Sequence, residues 1–131
     1  MADDFRSSQP IYLQLAERIC REIVRGDRKA GDKLPSVRDM AVEVGVNPNT
    51  VQRAYMQLEQ MRVVETRRGQ GTFITEEGAR LRELREKLMH ERIASFVRDM
   101  VEMGFHAEEI VEGVRVHVER GEDVVQGGKT E

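Results

Sequence analysis

Between Ser36 and Tyr55 the chain carries start and stop signals for two short helices and for the turn between them. Ser36 followed by Asp39 is a capping pattern: the hydroxyl accepts from the third backbone N–H, and the acid sits at the positive end of the helix. Val37, Met40, Ala41 and Val44 then recur at helical spacing and predict one buried face. Gly45 is a natural left-handed stop. Asn47 caps a second helix with Pro48 at its first position, where a missing N–H is not needed. Val51, Ala54, Tyr55 and Leu58 form that helix's apolar stripe. Two capped helices joined by so short a turn have the layout of a helix-turn-helix, whose second helix is sized for the DNA major groove.

On a 100° wheel Asn49, Arg53, Met56 and Gln60 point away from the stripe, with Thr50 and Gln52 on its flanks. A solvated helix face would carry Glu and Lys about as often as amides, yet the first two turns here carry no acid. Asn, Thr, Gln and Arg are the side chains that hydrogen-bond base edges and phosphates. A winged-helix adaptor that binds proteins without touching DNA is the alternative, and it predicts an acidic or apolar face at these positions.

Val63–Thr66 and Thr72–Ile74 read as two strands around Arg67-Arg68-Gly69-Gln70-Gly71. The glycines give the turn backbone freedom, and the two arginines at the tip can enter a minor groove or sit on phosphates. The glycine spacing is no nucleotide-binding fingerprint, because no βαβ unit surrounds it.

The flanking segments support these elements. Tyr12, Leu15, Ala16, Ile19 and Ile23 recur at helical spacing after Pro10, read as a first-turn proline, and Gly26 ends that helix. Asp27 to Lys33 reads as a polar turn. A long helix is predicted over residues 79–103, with Leu81, Leu84 and Leu88 on one stripe. The stripe then steps sideways to Met89, Ile93, Phe96, Met100 and Met103. The hand-off at Leu88/Met89 implies two surfaces, one against the DNA-reading module and one against a partner helix. Gly104 ends the helix, and His106 stands at a capping position. A last helix over 107–119 is expected to bury Ile110, Val111, Val114 and Val118, although residues 114–118 also alternate as a strand would. The expected organisation is a mainly α fold with a small hairpin. A winged helix-turn-helix spans 10–77, a two-helix dimerisation appendage spans 78–120, and a polar tail expected to be disordered spans 121–131. Because one recognition helix reads too few bases to be selective, two-fold symmetry is expected. The expected isologous interface comprises Met89, Ile93, Phe96, Met100, Met103, Val114 and Val118.

The net charge of −3 hides an asymmetry: residues 1–75 carry 12 Lys+Arg against 10 Asp+Glu, and residues 76–131 carry 9 against 14. Local field, not net charge, governs a phosphate contact. With one cysteine, Cys20, no internal disulfide forms, which fits a reducing cytoplasm, and Cys20 is expected in the core. His90, His106 and His117 form no metal-ligand spacing, and no nucleophile, phosphate loop or paired-carboxylate motif stands out, so neither metal, cofactor nor enzyme activity is expected. No hydrophobic leader or membrane span is expected either, and the reading is cytoplasmic.

The block from Pro10 to Ile74 resembles the winged helix-turn-helix of the GntR family of bacterial transcription regulators. The resemblance rests on Leu34-Pro35-Ser36-Val37-Arg38, Asn47-Pro48-Asn49-Thr50-Val51, Tyr55, Leu58-Glu59 and Arg68-Gly69-Gln70-Gly71-Thr72-Phe73. It implies base reading by Arg38, base or phosphate contacts by Asn49, Thr50, Gln52 and Arg53, and a minor-groove approach by Gly69. The candidate DNA-contacting set is therefore Ser36, Arg38, Asn47, Asn49, Thr50, Gln52, Arg53, Arg67, Arg68, Gly69, Gln70, Gly71 and Thr72. Of the 131 residues, 57 follow Ile74, too few for the larger effector domains of the family. A two-helix appendage is similar to the YtrA subfamily, which implies a homodimeric repressor of a palindromic operator, beside ABC-transporter genes, with an unknown small-molecule effector. Arg62 departs from the family pattern, which has glycine there, and a left-handed backbone at this residue would cost roughly 1 kcal/mol.

Overall fold

The computed structural model describes residues 8–121. They form α1 (Ile11–Arg25), α2 (Val37–Val44), α3 (Pro48–Gln60), β1 (Val64–Arg67), β2 (Gly71–Ile74), α4 (Gly78–Glu102) and α5 (Ala107–Arg120). The architecture is the expected one, five helices with a two-stranded antiparallel hairpin. Residues 1–7 and 122–131, including nearly all of the tail expected to be disordered, lie outside the described residues.

Local signals set the helix ends. The Ser36 hydroxyl oxygen accepts from the N–H of Asp39 at 3.1 Å, and Asn47 Oδ1 accepts from the N–H of Asn49 at 2.7 Å. Gly45 sits at φ 71°, and its N–H and that of Val46 both donate to the Ala41 carbonyl, at 2.9 and 3.1 Å. Only a left-handed residue turns the chain so tightly, and glycine does so without a Cβ clash. Pro10 stands one step before α1, as its N-cap, and not inside the first turn.

The first unit is built on three crossing helices. Leu15, Ile19 and Ile23 of α1, Met40 of α2, and Val51, Ala54 and Leu58 of α3 are all buried. Val63, Val64 and Ile74 close this core from the hairpin, and Cys20 is buried within it. Each large aliphatic side chain so removed from water contributes about 1.5–3 kcal/mol, so the helices are held by packing more than by propensity.

Two corrections concern the wing. Its strands are shifted, so that Arg67 and Gly71 pair with each other inside the ladder and do not lie in the turn. Residues 31–33, expected as part of the polar turn Asp27 to Lys33, run with Leu34 alongside β2 and hydrogen-bond to it without forming a further strand. The Gly31 N–H donates to the Ile74 carbonyl at 2.9 Å, Ile74 to Asp32 at 2.8 Å, and Leu34 to Thr72 at 2.8 Å. Lys33 bridges Phe73. Burial of Leu34 draws this segment in, and it satisfies backbone groups that a two-stranded hairpin would leave open.

Arg62 has φ 65° and is the one non-glycine with positive φ among the described residues. Its N–H donates to the Glu59 carbonyl at 2.9 Å, and that of Val63 to the Leu58 carbonyl at 3.2 Å. This paired capping of α3 normally uses glycine, and Leu58 and Val63, which it brings to the same end of the helix, are both buried. Burial of those two side chains offsets the strain that Arg62 carries.

The chain divides into two compact units between Lys87 and Leu88. The first turns of α4 belong to the first unit because Leu84 is buried there and the Arg85 guanidinium donates to the Val24 carbonyl at 3.2 Å. The second unit comprises the rest of α4 and α5. A glycine turn joins them, with the Phe105 N–H on the Met100 carbonyl at 3.1 Å and the His106 N–H on the Glu109 carboxylate at 2.9 Å. Residues 107–120 are helical throughout, which resolves the strand alternative at 114–118. Of the four α5 side chains expected to be buried, only Ile110 is; Val111 is 68% exposed, because in a two-helix unit one neighbour covers just one line of α5.

Candidate nucleic-acid interface

The α2–α3 pair is fixed by a contact between distant residues. The Tyr55 hydroxyl donates to the Pro35 carbonyl at 2.7 Å. Tyr55 thereby ties the buried face of α3 to the residue just before the α2 cap. Burial pushes its phenol pKa well above the ordinary value, against the smaller opposing effect of Arg28, so it remains a donor at neutral pH.

With the buried face locked inward, Asn49, Gln52, Arg53 and Met56 are exposed on α3, and Thr50 is half-buried at the flank. Arg38 is exposed on the second residue of α2. Ser36 and Asn47 are both exposed and both use an oxygen lone pair to cap a helix. Each keeps its donor side, the hydroxyl hydrogen or the amide NH₂, available to an anion. At the N-terminal ends of two helices these donors add to the positive end of each helix dipole.

The two wing arginines differ. The Arg67 guanidinium stacks over the Phe73 ring, 4.1 Å from its centroid, and lies 4.0 Å from carboxylate oxygens of both Glu65 and Glu76. It is largely held within the wing. Arg68 is exposed at the tip and makes no ion pair among the described residues. Gly69 and Gly71 have φ 74° and 125°, a backbone region that residues with a Cβ rarely adopt, so the turn favours glycine at both positions. Gln70 is exposed, whereas Thr72 is half-buried with its carbonyl engaged by Leu34.

One side chain absent from the sequence-derived set belongs to this face. Tyr12, assigned to the apolar stripe of α1, is half-buried, and Arg53 Cζ lies 4.0 Å over its ring centroid. Helical spacing places Tyr12 on the inner face but cannot tell that its ring lies beneath an arginine of α3.

In the second unit Met89, Ile93, Phe96, Met103, Val114 and Val118 are exposed and Met100 is half-buried. A groove of about 470 Å³ runs between Phe96 and Met100 of α4 and Ile110, Val114 and Val118 of α5. Among the described residues no group of three or more His, Cys, Asp or Glu could hold a metal ion, and no helix is long and apolar enough to cross a membrane.

Comparison with known proteins bears on this geometry. A family model described as bacterial regulatory proteins, gntR family, matches residues 11–74. The helix-turn-helix-type transcriptional regulator YhcF of Bacillus subtilis (strain 168) is 50% identical over 121 residues, covering 92% of this chain and 100% of that protein. The transcriptional repressor YtrA of the same organism is 39% identical over 127 residues, 96% of this chain and 95% of YtrA. A solved GntR family transcriptional regulator from Listeria monocytogenes, 40% identical, superposes with a TM-score of 0.80 over 85% of this chain and 97% of that chain.

Proposed function

The chain belongs to the gntR family of bacterial regulatory proteins, a family of DNA-binding transcriptional regulators and not of enzymes, and from that premise we propose a homodimeric repressor of a palindromic operator. The observation that carries the DNA-reading part is the exposed, acid-free start of α3, with Arg38 on α2 and Arg68 on the wing beside it in sequence order. In this reading Asn49, Gln52, Arg53 and Arg38 meet base edges, while Ser36, Asn47, Thr50 and the wing from Arg67 to Thr72 meet phosphates or a minor groove.

The second copy is argued from the second unit. Only Ile110 is buried between Leu88 and Gly121, and Met89, Ile93, Phe96, Met103, Val114 and Val118 stand in water. Two helices with that much apolar surface are stabilised when an identical pair covers them. Likeness to a repressor supports repression; control of ABC-transporter genes and a cytoplasmic location belong to the proposal as what the resemblance to the YtrA subfamily implies. A small-molecule effector would act by shifting the two DNA-reading heads across this methionine-rich surface.

The experiment is selection of duplexes from a random library by the full-length chain, with sedimentation of the same sample. A two-fold symmetric consensus bound by a dimer is expected, and the natural site should lie beside transporter genes. Enrichment of no sequence, or binding of a single half-site by a monomer, would overturn the reading.

A further inference from the structure

We propose that Tyr12 is a positioning residue for DNA readout: its ring holds the Arg53 guanidinium in place, face down, so that the N–H edge is presented to the DNA. The inference rests on the reading of α3 as the DNA-contacting helix. It stands on three observations of the first unit. Arg53 lies on the outward face of α3, and its Cζ is 4.0 Å over the Tyr12 centroid. Among the described residues no carboxylate pairs with Arg53, whereas Arg18, Arg28, Arg67 and Arg80 each lie within ion-pair distance of an acid. Tyr12 is itself half-buried on α1, in the same turn as Leu15 and Ala16, which are buried, so the platform is fixed by the core.

The chemistry follows from the shape of guanidinium. Its attraction to a ring acts through the planar face, and its donors point outward in that plane. Stacking on Tyr12 therefore leaves the donors unspent while removing the rotamer freedom of a long side chain. An exposed arginine without such a platform is ordered only on binding, and that entropy cost weakens the complex. Here the ordering occurs on folding. Tyr12 thus acts on the DNA through Arg53.

The test uses the full-length chain and the duplex that wild type selects from a random library. Affinity at one salt concentration and base preference are measured for Tyr12→Phe, Tyr12→Leu, Arg53→Ala and the double variant Tyr12→Leu/Arg53→Ala. Tyr12→Phe should bind as wild type, because the ring is kept. Tyr12→Leu should bind about three- to fivefold more weakly and relax preference at the positions that Arg53→Ala relaxes. In the Arg53→Ala background it should have no further effect, the non-additivity expected of coupled groups. Pentafluorophenylalanine in place of Tyr12 keeps the ring shape, reverses its charge distribution and should weaken binding like Tyr12→Leu, which separates positioning from any loss of folding. The proposal is overturned by equal losses from Tyr12→Leu with and without Arg53, by unchanged binding with the fluorinated ring, or by tighter binding once the ring is removed. If Arg53→Ala binds as wild type, the role of Arg53 and that of Tyr12 fall together while Arg38 can stand; if wild type selects no duplex, the reading of α3 itself fails.

Discussion

Tyr55 Oη and the Pro35 carbonyl oxygen lie 2.7 Å apart, joining the middle of α3 to the entrance of α2. This bond fixes the angle at which the exposed face of α3 leaves the domain. Tyr55→Phe removes the donor and strands a half-buried carbonyl, so it should lower unfolding stability by about 1–2 kcal/mol, read from urea midpoints at unchanged slope. The linkage has a definite sign. A phenol whose folded pKa is raised contributes stability fully at pH values below the ordinary tyrosine pKa of about 10, and that contribution is lost as pH rises through the folded value. Stability of the wild type should therefore fall more steeply above about pH 10 than that of the Phe variant.

Arg38→Ala tests base reading. Arg38 is exposed on α2 and its removal leaves the core intact. Operator affinity should drop by about 1–3 kcal/mol with unchanged circular dichroism. Equal affinities at one salt concentration would remove Arg38 from the site.

The two wing arginines should separate in their salt dependence. Arg68→Ala is expected to reduce the slope of log K against log salt by about 1, since a free cation at the tip releases a counterion. Arg67→Ala should change the slope less and stability more, because Arg67 stacks on Phe73 and lies near Glu65 and Glu76. Equal slope changes for the two would show that Arg67 leaves its ring on binding.

Arg62→Gly should stabilise the first unit. With φ at 65°, Arg62 occupies a backbone region that glycine adopts freely, and relief of strain should raise stability by up to about 1 kcal/mol after the added unfolded-state entropy. Thermal melting gives the sign directly, and a lower melting temperature would mean that the Arg62 side chain contributes a contact of its own.

Phe96→Glu in the full-length chain should convert the proposed dimer to a monomer at tens of micromolar and weaken palindrome binding, while the first unit melts as before. Phe96 is 41% exposed and lines the groove of the second unit, so the charge would lie in water in a monomer and be buried in a dimer. Sedimentation decides, and a variant that still sediments as a dimer would move the interface elsewhere.

The sequence by itself determined the elements whose causes are local. Ser36 and Asn47 cap because a short polar side chain reaches N–H groups two or three residues on, and Gly45 stops a helix through its own backbone freedom. Helical periodicity placed Leu15, Ile19, Val51 and Leu58 inside. The strained backbone at Arg62 was legible as a departure from a family pattern. Tertiary structure alone decided the relations between residues far apart in the chain. Leu34 carries residues 31–34 onto β2, Tyr55 reaches Pro35, Arg53 lies on Tyr12, and Arg67 stacks on Phe73. Each depends on which side chains the packed core brings within a few ångströms, and no local spacing encodes that. The same reason explains α5: a helix reveals its apolar positions in sequence, but only the number of neighbours around it decides that Ile110 is covered and Val111 is not.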